Sequence, residues 1–287
     1  MLKYPKRLNH VMVFFSMLYF YSCQQEKSEV LMVEYRTLED LEGIYTINDS
    51  IVPPILYNNV FSLKELDLVE RKKRFIDLML PSILVAKYQI ERDREKLEDI
   101  RQTIENLGVL THIDSTHLNQ MMTTYRAEEI DELLVKLEVH PVSIVLAQAA
   151  LESGWGTSRF FTEANNIFGI WSFSTEDDRI RAMHARDGKS IYVKSYDDLS
   201  ASITDYFKTL SRNNAYQTFR EKRQETDNSL ELIPYLHRYS EQGYEYVRKL
   251  ELVIRKNDLV KYDNYRLDPD YIEETDLTEE TIVAMAD

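Results

Sequence analysis

The stretch AQAALESGWGTSRF, residues 147–160, contains a single carboxylate in an apolar run that ends in two glycines flanking a tryptophan. Glu152 is the only charged side chain from Pro141 through Ser158, although 29% of the residues in the chain are charged. Charge is therefore excluded from this segment with one exception, and that exception is an acid. A lone acid in such a setting is a candidate for chemistry.

The apolar run has the signals of a helix that begins at Pro141 and ends before Gly154, because proline suits the first turn of a helix and glycine its C-terminal cap. On that helix, over residues 141–153, Glu152 follows Ala149 by three positions and so projects from an apolar face. Desolvation there raises the pKa of a carboxyl group, which lets the group hold a proton near neutral pH and act as a general acid. The alternative is a buried glutamate satisfied by a neighbouring polar group, and the spacing alone does not separate the two.

The composition favours a mainly α protein of one large domain or two smaller ones. The chain has 287 residues, 44% of them hydrophobic, with seven glycines and seven prolines, and this balance is unfavourable for a many-turned β architecture. The 49 acidic residues against 35 basic ones give a net charge of −14. Such a charge repels nucleic-acid phosphates, so we expect no DNA or RNA partner.

Residues 1–22 have the form of a signal peptide. Basic residues precede an apolar stretch that is too short to span a bilayer as a mature helix. Cys23, the only cysteine, follows directly and cannot form an internal disulfide. The arrangement resembles a bacterial lipoprotein signal, which implies a lipid anchor on Cys23 that attaches the protein to a membrane. An ordinary cleaved signal or a membrane anchor is the alternative, and in each case we expect the mature chain to work in the cell envelope, on the periplasmic or extracellular side.

Hydrophobic periodicity and chain breakers divide the rest of the chain. We expect a tether or loosely packed arm over residues 23–60, an N-terminal helical extension over 61–125, a catalytic domain over 126–256 and an acidic mobile tail over 257–287. The expected elements are a long helix from Ser62 to Gly108 that is kinked or split before Pro81, a helix over 126–139, the helix over 141–153, a loop over 154–175, a β-hairpin over 179–194 that turns at Asp187-Gly188, a helix over 196–210 and two or three helices within 215–256.

Two motifs carry a resemblance to a known family. A run of the form AQ-A-ES-WG-S is followed at a short distance by NN-FGI, and the pair is long and specific. The matching residues are Gln148, Ala149, Glu152, Ser153, Trp155, Gly156, Ser158, Asn165, Asn166, Phe168, Gly169 and Ile170. The sequence is similar to the glucosaminidase family of peptidoglycan hydrolases, which includes flagellar and autolysin domains. LPSILVAKYQI at 80–90, NNAYQTFREKR at 213–223 and YSEQGYEYVRKL at 239–250 resemble the Bax-type branch of that family.

The resemblance covers residues 70–255 and implies a lysozyme-like, mainly α fold with a small β-hairpin lobe. It also implies hydrolysis of the β-1,4 linkage after N-acetylglucosamine in the cell-wall glycan. Glu152 stands where the family has its catalytic acid, and Tyr239 where it has a functionally important tyrosine at the start of a YATD--YA-like run. Tyr246 matches the second tyrosine of that run. Ser240-Glu241-Gln242 replace Ala-Thr-Asp here, so the alternative for Tyr239 is a core aromatic with its hydroxyl paired.

Glycoside cleavage usually needs a second group, which stabilises an oxocarbenium-like centre or activates water. The candidates around the hairpin are Glu176, Asp177, Asp178 and Asp187. We favour Glu176 as catalytic because it closely follows the aromatic segment FGIWSF, and we interpret Asp187 as a turn residue. Without a second acid, the acetamido group of the substrate assists as the nucleophile, with Tyr239 supporting the charge.

Amide and aromatic side chains of the two motifs are expected to line the groove, because amides pair with sugar hydroxyls and aromatic faces pack on pyranose rings. The expected substrate-binding residues are Gln148, Ser153, Trp155, Asn165, Asn166, Phe168, Trp171 and Tyr246. For Phe168, core packing is an equal alternative. His112 and His117 are five residues apart in a segment predicted to be a polar loop, and the spacing of the six histidines does not indicate a metal-binding site. We expect neither a metal nor a cofactor.

Three functions remain open at this stage. The first is a secreted or lipid-anchored N-acetylglucosaminidase that acts on the glycan strands of peptidoglycan. The second is a lytic transglycosylase, in which the same acid suffices and no water is added. The third is a catalytically inert wall-binding module that uses the same groove.

Overall fold

The computed structural model describes residues 27–183 and 190–276, with side chains over 29–183 and 190–274. The expected signal peptide, Cys23 and the turn at Asp187-Gly188 lie outside the described residues. The helices are α1 (Leu68–Leu107), α2 (His112–Tyr125), α3 (Ile130–Leu137), α4 (Val142–Ser153), α5 (Arg159–Ala164), α6 (Leu199–Arg212), α7 (Gln217–Arg223), α8 (Ser229–Leu232) and α9 (Tyr244–Lys256). Short 3-10 helices cover Asn214–Tyr216, Ile233–Leu236, Leu259–Asn264 and Pro269–Tyr271.

The strands are short and pair in twos. They are β1 (Lys27–Leu31), β2 (Glu34–Arg36), β3 (Ile51–Val52), β4 (Ile55–Tyr57), β5 (Arg179–Arg181), β6 (Tyr192–Lys194), β7 (Arg266–Leu267) and β8 (Ile272–Asp276). β2 runs parallel to β4, β3 runs parallel to β7, and β5 and β6 form an antiparallel pair with Arg179 opposite Lys194. The expectation of a mainly α fold with a small β-hairpin is confirmed.

The chain divides into two units. One comprises residues 1–30 and 273–287, and its described part is the pairing of β1 with β8. The other comprises residues 31–272 and contains every element between those two strands. The hydrophobic core and the candidate site belong to this second unit.

The long helix α1 differs at two points from its expected form. It begins at Leu68 and not near Ser62, because the Asp67 carboxylate accepts hydrogen bonds from the backbone N–H groups of Val69 and Glu70. It is also a single helix of 40 residues with Pro81 inside it. Every residue from 75 to 86 is buried, so packing on all sides compensates for the backbone hydrogen bond that proline removes.

The helix α4 lies in the middle of the core, and not at its edge. All its residues from Val142 to Ala150 are buried, and α1, α9 and the 3-10 helix Leu259–Asn264 pack against it. The apolar positions Val145 and Ala149, from whose side Glu152 was expected to project, are buried, as are the other positions up to Ala150. Glu152 itself lies in the last turn, where the helix emerges from the core and the side chain is exposed.

The expected mobile tail over 257–287 contains 3-10 helices and short strands in its described part, residues 257–276. Its 3-10 helix Leu259–Asn264 brings the Asp263 carboxylate to the start of α4, where it accepts hydrogen bonds from the backbone N–H and the hydroxyl of Ser143 at 2.7 and 2.8 Å. Pro141, at the N-cap of α4, has no side chain that can cap the helix. Asp263, 120 residues further along the chain, satisfies the free N–H in its place.

The segment over 31–60 is packed into the core and is not the loosely packed arm expected from its prolines. Val52, Ile55, Leu56 and Tyr57 are each no more than 2% exposed. The Tyr57 hydroxyl accepts a hydrogen bond from the backbone N–H of Tyr45 at 2.8 Å. β4 pairs in parallel with β2 of the same segment, and β3 pairs in parallel with β7, which lies far along the chain and gives β3 a partner that its own neighbourhood lacks.

Two further elements differ from expectation. The residues His112 and His117 lie on the helix α2 and not in a polar loop. The short helix α5 interrupts the loop expected over 154–175, with the Ser158 hydroxyl accepting from the Phe161 N–H as its N-cap. Within the described residues no single helix is long and apolar enough to cross a membrane, and only the pair α3 and α4, bent by 66°, reaches the required length and hydropathy together.

Candidate active site

Glu152 lies at the C-terminal end of α4, where its carboxylate reaches the surface. Its Oε1 accepts a hydrogen bond from the Tyr246 hydroxyl on α9 at 2.9 Å. Desolvation by the surrounding protein raises the pKa of Glu152, and the hydrogen bond from Tyr246 opposes that rise in part. The negative end of the helix dipole acts in the same direction as desolvation. The carboxyl group is thus exposed, and its pKa is raised above the ordinary value.

Behind Glu152, a chain of hydrogen bonds runs into the core. The Tyr246 hydroxyl contacts Gln148 Nε2 at 3.1 Å, Gln148 Oε1 contacts the Tyr206 hydroxyl at 2.6 Å, and that hydroxyl contacts His140 Nε2 at 2.9 Å. Gln148 is 0% exposed, and the other three side chains are no more than 3% exposed. The chain therefore links a surface acid to a core histidine through groups that no solvent reaches.

The ring of Tyr239 lies beside this hydrogen-bond chain, and the catalytic role of Tyr239 stays a prediction. The ring stacks on that of Tyr246 with centroids 5.5 Å apart, and it lies 6.2 Å from Tyr206 and 6.3 Å from Tyr216. Burial first, and then the neighbouring tyrosines and Glu152, raise the pKa of Tyr239 well above its ordinary value. Its hydroxyl makes no hydrogen bond to the described residues, so it is not the paired core aromatic of the alternative interpretation.

The turn after α4 consists of three residues with left-handed backbone: Gly154, Trp155 and Gly156 have φ values of 61°, 59° and 75°. Ser153 braces this turn, because its hydroxyl donates to the carbonyl of Ala149 at 2.6 Å and accepts from the Gly156 N–H at 3.1 Å. Ser153 is 0% exposed, so the expectation that it binds substrate is wrong. Trp155 is half-buried, with its ring edge-to-face on Phe75.

The expectation that Asn165 and Asn166 bind substrate is also wrong, because both are buried and fully engaged. Asn165 Nδ2 donates to the carbonyls of Tyr196 and Asp197. Asn166 is 0% exposed; its Nδ2 donates to the carbonyls of Ile170 and Lys194, and its Oδ1 accepts from the Ile170 N–H. The two amides hold the β-hairpin to the segment that follows α5.

Three other expected groove residues belong to the interior. Phe168 stacks on Tyr206 at 4.2 Å and is 8% exposed, which is the core-packing alternative. Gln148 and Tyr246 use their polar atoms within the buried hydrogen-bond chain. They position Glu152, and the expectation that they contact substrate is wrong.

The exposed aromatic residues lie on the segment that leads into the hairpin. Trp171 is 39% exposed and forms a bridge with Val193, and Phe173 is 88% exposed with its ring 6.1 Å from that of Trp171. Phe173 was missed, although its spacing of two from Trp171 is the period of residues on one side of an extended chain. Glu176 is exposed on the same segment and makes no hydrogen bond to the Glu152 chain; its catalytic role stays a prediction.

Tyr206 and His140 were also missed. His140 directly precedes the apolar run of α4, and Tyr206 lies on the buried face of the amphipathic helix α6, so each is most simply interpreted as a core residue. Tyr206 is 58 residues from Gln148 and 66 from His140 in the chain, so only the folded arrangement of α4 and α6 shows that their polar atoms meet.

Elsewhere on the unit, two depressions lie away from Glu152. The larger, of about 450 Å³, is lined by polar residues that include Lys194, Tyr196 and Asp205. Lys194 Nζ and the Tyr196 hydroxyl both donate to Asp205 Oδ2 at 2.8 Å. Among the described residues, no group of three or more His, Cys, Asp and Glu is arranged to hold a metal ion.

Comparison with known proteins agrees with the motifs. Residues 127–259 match the model of the glucosaminidase family, described as mannosyl-glycoprotein endo-beta-N-acetylglucosaminidase. The chain is 25% identical over 201 residues to Protein bax of Escherichia coli (strain K12), an alignment that covers 65% of this chain and 70% of that protein.

Two solved structures were matched as well. The catalytic domain of the autolysin Auto from Listeria monocytogenes shares 22% sequence identity, with coverage of 57% of this chain and 96% of that one and a TM-score of 0.37. A truncated glycoside hydrolase domain of Salmonella typhimurium FlgJ shares 20%, with coverage of 48% and 97% and a TM-score of 0.34. The family match over residues 127–259 and the similarity to bax support a glycoside hydrolase domain of the glucosaminidase family in this chain.

Proposed function

We propose that this glycoside hydrolase cleaves the β-1,4 linkage after N-acetylglucosamine in peptidoglycan, with Glu152 as the general acid. The proposal is carried by the environment of Glu152, which lies within the segment that matches the family. Its side chain is exposed, desolvation raises its pKa, and its carboxylate accepts a hydrogen bond from Tyr246. A carboxyl group that keeps its proton near neutral pH can give it to the departing glycosidic oxygen.

The cleavage step needs support for positive charge at the anomeric carbon. Tyr239 is better placed for this than Glu176, because its ring stacks on Tyr246, the residue that contacts Glu152. We therefore propose that the acetamido group of the substrate assists as the nucleophile and that the Tyr239 hydroxyl, which no described residue engages, supports it. Glu176 remains the competing candidate, so Tyr239→Phe and Glu176→Gln form the pair of variants that separates the two.

The substrate and the acid are tested together with purified peptidoglycan. The chain without residues 1–23 is incubated with it beside a Glu152→Gln variant, and the products are reduced and read by mass spectrometry. New reducing N-acetylglucosamine ends that vanish in the variant support the proposal. Anhydro ends would reject hydrolysis in favour of a lytic transglycosylase, and binding without cleavage would indicate an inert wall-binding module.

The cell envelope is the proposed place of action, since peptidoglycan is found there. Anchoring through Cys23 remains a prediction from the sequence, tested by metabolic labelling with a palmitate analogue. Label on the wild-type chain that is absent from Cys23→Ser would support the anchor, and an unlabelled wild-type chain would reject it.

A further inference from the structure

We propose that His140 acts as a remote positioning residue: through Tyr206, Gln148 and Tyr246 it sets the direction of the hydrogen bond on Glu152, and so determines which carboxyl oxygen carries the acid proton. The inference rests on the proposed role of Glu152 as general acid. It goes beyond that role because it assigns a function to two core residues, His140 and Tyr206, that lie outside both sequence motifs.

The hydrogen-bond chain has two possible directions, because each hydroxyl has one proton and the amide of Gln148 can be turned over. In the first, His140 Nε2–H donates to Tyr206, Tyr206 to Gln148 Oε1, Gln148 Nε2–H to Tyr246, and Tyr246 to Glu152 Oε1. In the second, every bond is reversed: protonated Glu152 Oε1 donates to Tyr246, and Tyr206 donates to His140 Nε2. The heavy-atom distances of 2.6 to 3.1 Å suit both.

The other nitrogen of His140 selects between the two directions. Nδ1 is buried and has no hydrogen-bond partner among the described residues. In the first direction Nδ1 is an unprotonated acceptor, whereas in the second it carries an N–H with no acceptor. A buried backbone or side-chain N–H without a partner is rarer and more costly than an acceptor left free. The first direction is therefore the stable one.

The surroundings of His140 also exclude its doubly protonated form. The ring packs among Tyr206 and Phe207 of α6 and Phe219 of α7. Burial, followed by the charges of Arg223 on α7 and Lys87 on α1, lowers the pKa of His140 well below its ordinary value. Arg223 and Lys87 are the cations that face it, and they disfavour a positive ring. His140 is thus a neutral imidazole whose single proton lies on Nε2.

The consequence at the surface is a fixed location for the acid proton. Because Tyr246 donates to Oε1, a proton on that oxygen would face another proton, so Glu152 is protonated on Oε2. Oε2 then gives the proton to the glycosidic oxygen as the C–O bond breaks, and the resulting carboxylate keeps the hydrogen bond from Tyr246. No rearrangement of the chain is needed during the step.

The first experiment removes one hydroxyl from the chain. In Tyr206→Phe the amide of Gln148 loses its donor and can turn, so that Tyr246 donates inward and accepts from protonated Glu152 Oε1. We expect kcat to fall roughly ten- to hundredfold, a part of the roughly 10²–10⁴-fold that a general acid contributes. We also expect the basic limb of the kcat/KM profile to move to higher pH, because the reversed chain stabilises the protonated carboxyl.

The matched control is Tyr57→Phe, which removes an equally buried hydroxyl from the core at a point outside the site. It is expected to lower stability without moving the pH profile. A Tyr206→Phe variant that folds, by circular dichroism and thermal melting, and keeps the wild-type rate and profile would overturn the inference.

A second pair of variants tests His140 itself. His140→Gln keeps an N–H donor near the Nε2 position, whereas His140→Leu keeps none, so the glutamine variant should retain the wild-type pH profile and the leucine variant should behave like Tyr206→Phe. Equal profiles for the two variants would contradict the inference.

The tautomer is read independently of activity from the imidazole ¹⁵N shifts of the wild-type chain, assigned by comparison with His140→Gln. A neutral ring protonated on Nε2 supports the inference, and one protonated on Nδ1 overturns it. A chain with the Nε2–H tautomer that releases no sugar ends would refute the proposed function while leaving the direction of the hydrogen bonds established.

Discussion

The Tyr246 hydroxyl donates a 2.9 Å hydrogen bond to Glu152 Oε1 across 94 residues of sequence. Tyr246 belongs to α9 and Glu152 to the last turn of α4, and the two helices pack directly against each other. The position of the Glu152 carboxylate is therefore fixed by the packing of α9 against α4, and not by residues next to it in the sequence. Its environment therefore depends on how α4 packs against α9.

The Glu152→Gln variant should be more stable than the wild type, and the difference should grow as the pH rises. The folded protein raises the pKa of Glu152 above its unfolded value, so the folded state favours the protonated form and loses stability, relative to a neutral side chain, once the pH exceeds the unfolded pKa. We expect the melting temperature of Glu152→Gln to exceed that of the wild type more at pH 7 than at pH 4. A difference that is the same at both values would show that the pKa of Glu152 is not raised.

Removing the distant cap of α4 should lower stability and leave the chemistry of the folded fraction intact. Asp263→Ala frees the Ser143 N–H and hydroxyl, and loss of a helix cap costs about 0.5–2 kcal/mol. Urea unfolding would measure the change, with Asp99→Ala, on the exposed face of α1, as the control. Equal midpoints for the two variants would show that the C-terminal segment does not support α4.

The close contact at Gly156 should make alanine more costly there than at Gly108. Both glycines have left-handed φ, of 75° and 68°, so alanine is strained at each. A Cβ on Gly156 would lie 3.0 Å from Leu63 Cδ1 and 3.2 Å from Phe161 Cε1, whereas one on Gly108 would meet nothing within 4 Å. We expect Gly156→Ala to lose about 1–3 kcal/mol more in unfolding free energy, as overpacked sites do. Equal losses would mean that Leu63 moves aside freely.

Alanine substitutions at Asn166 and Trp171 should have different effects: the first should lower stability, and the second should weaken substrate binding. Asn166→Ala removes the hydrogen-bond partner of the Ile170 N–H and one hydrogen bond from each of the Ile170 and Lys194 carbonyls, of which the Ile170 carbonyl still accepts from the Lys194 N–H. The melting temperature should therefore fall, with about 1–3 kcal/mol lost for each buried group left unsatisfied. Trp171→Ala removes a 39% exposed ring, so KM for glycan should rise while the melting temperature stays close to that of the wild type. Thermal melts and steady-state kinetics on both variants check this, and the opposite pattern would assign substrate contact to Asn166.

Local sequence was enough to predict several elements correctly. The αL glycines at 108 and 154 end α1 and α4 where the pattern placed them, because a residue without Cβ is the local requirement at a helix end. The hairpin β5–β6 and the helix α6 were likewise predicted from alternation and periodicity. Errors arose where partners are distant: β3 is ordered by β7, and Asp263, in the expected mobile tail, caps the start of α4.

The sequence by itself determined the mainly α composition of the fold, the C-terminal ends of α1 and α4 and the choice of Glu152 as the candidate acid, because these depend on backbone propensity and on short motifs. The tertiary structure alone decided which motif residues are buried and which are exposed. It placed Gln148, Ser153, Asn165 and Asn166 in the interior and joined His140 and Tyr206 to Glu152, because burial and hydrogen bonding depend on segments that meet only when the core is assembled.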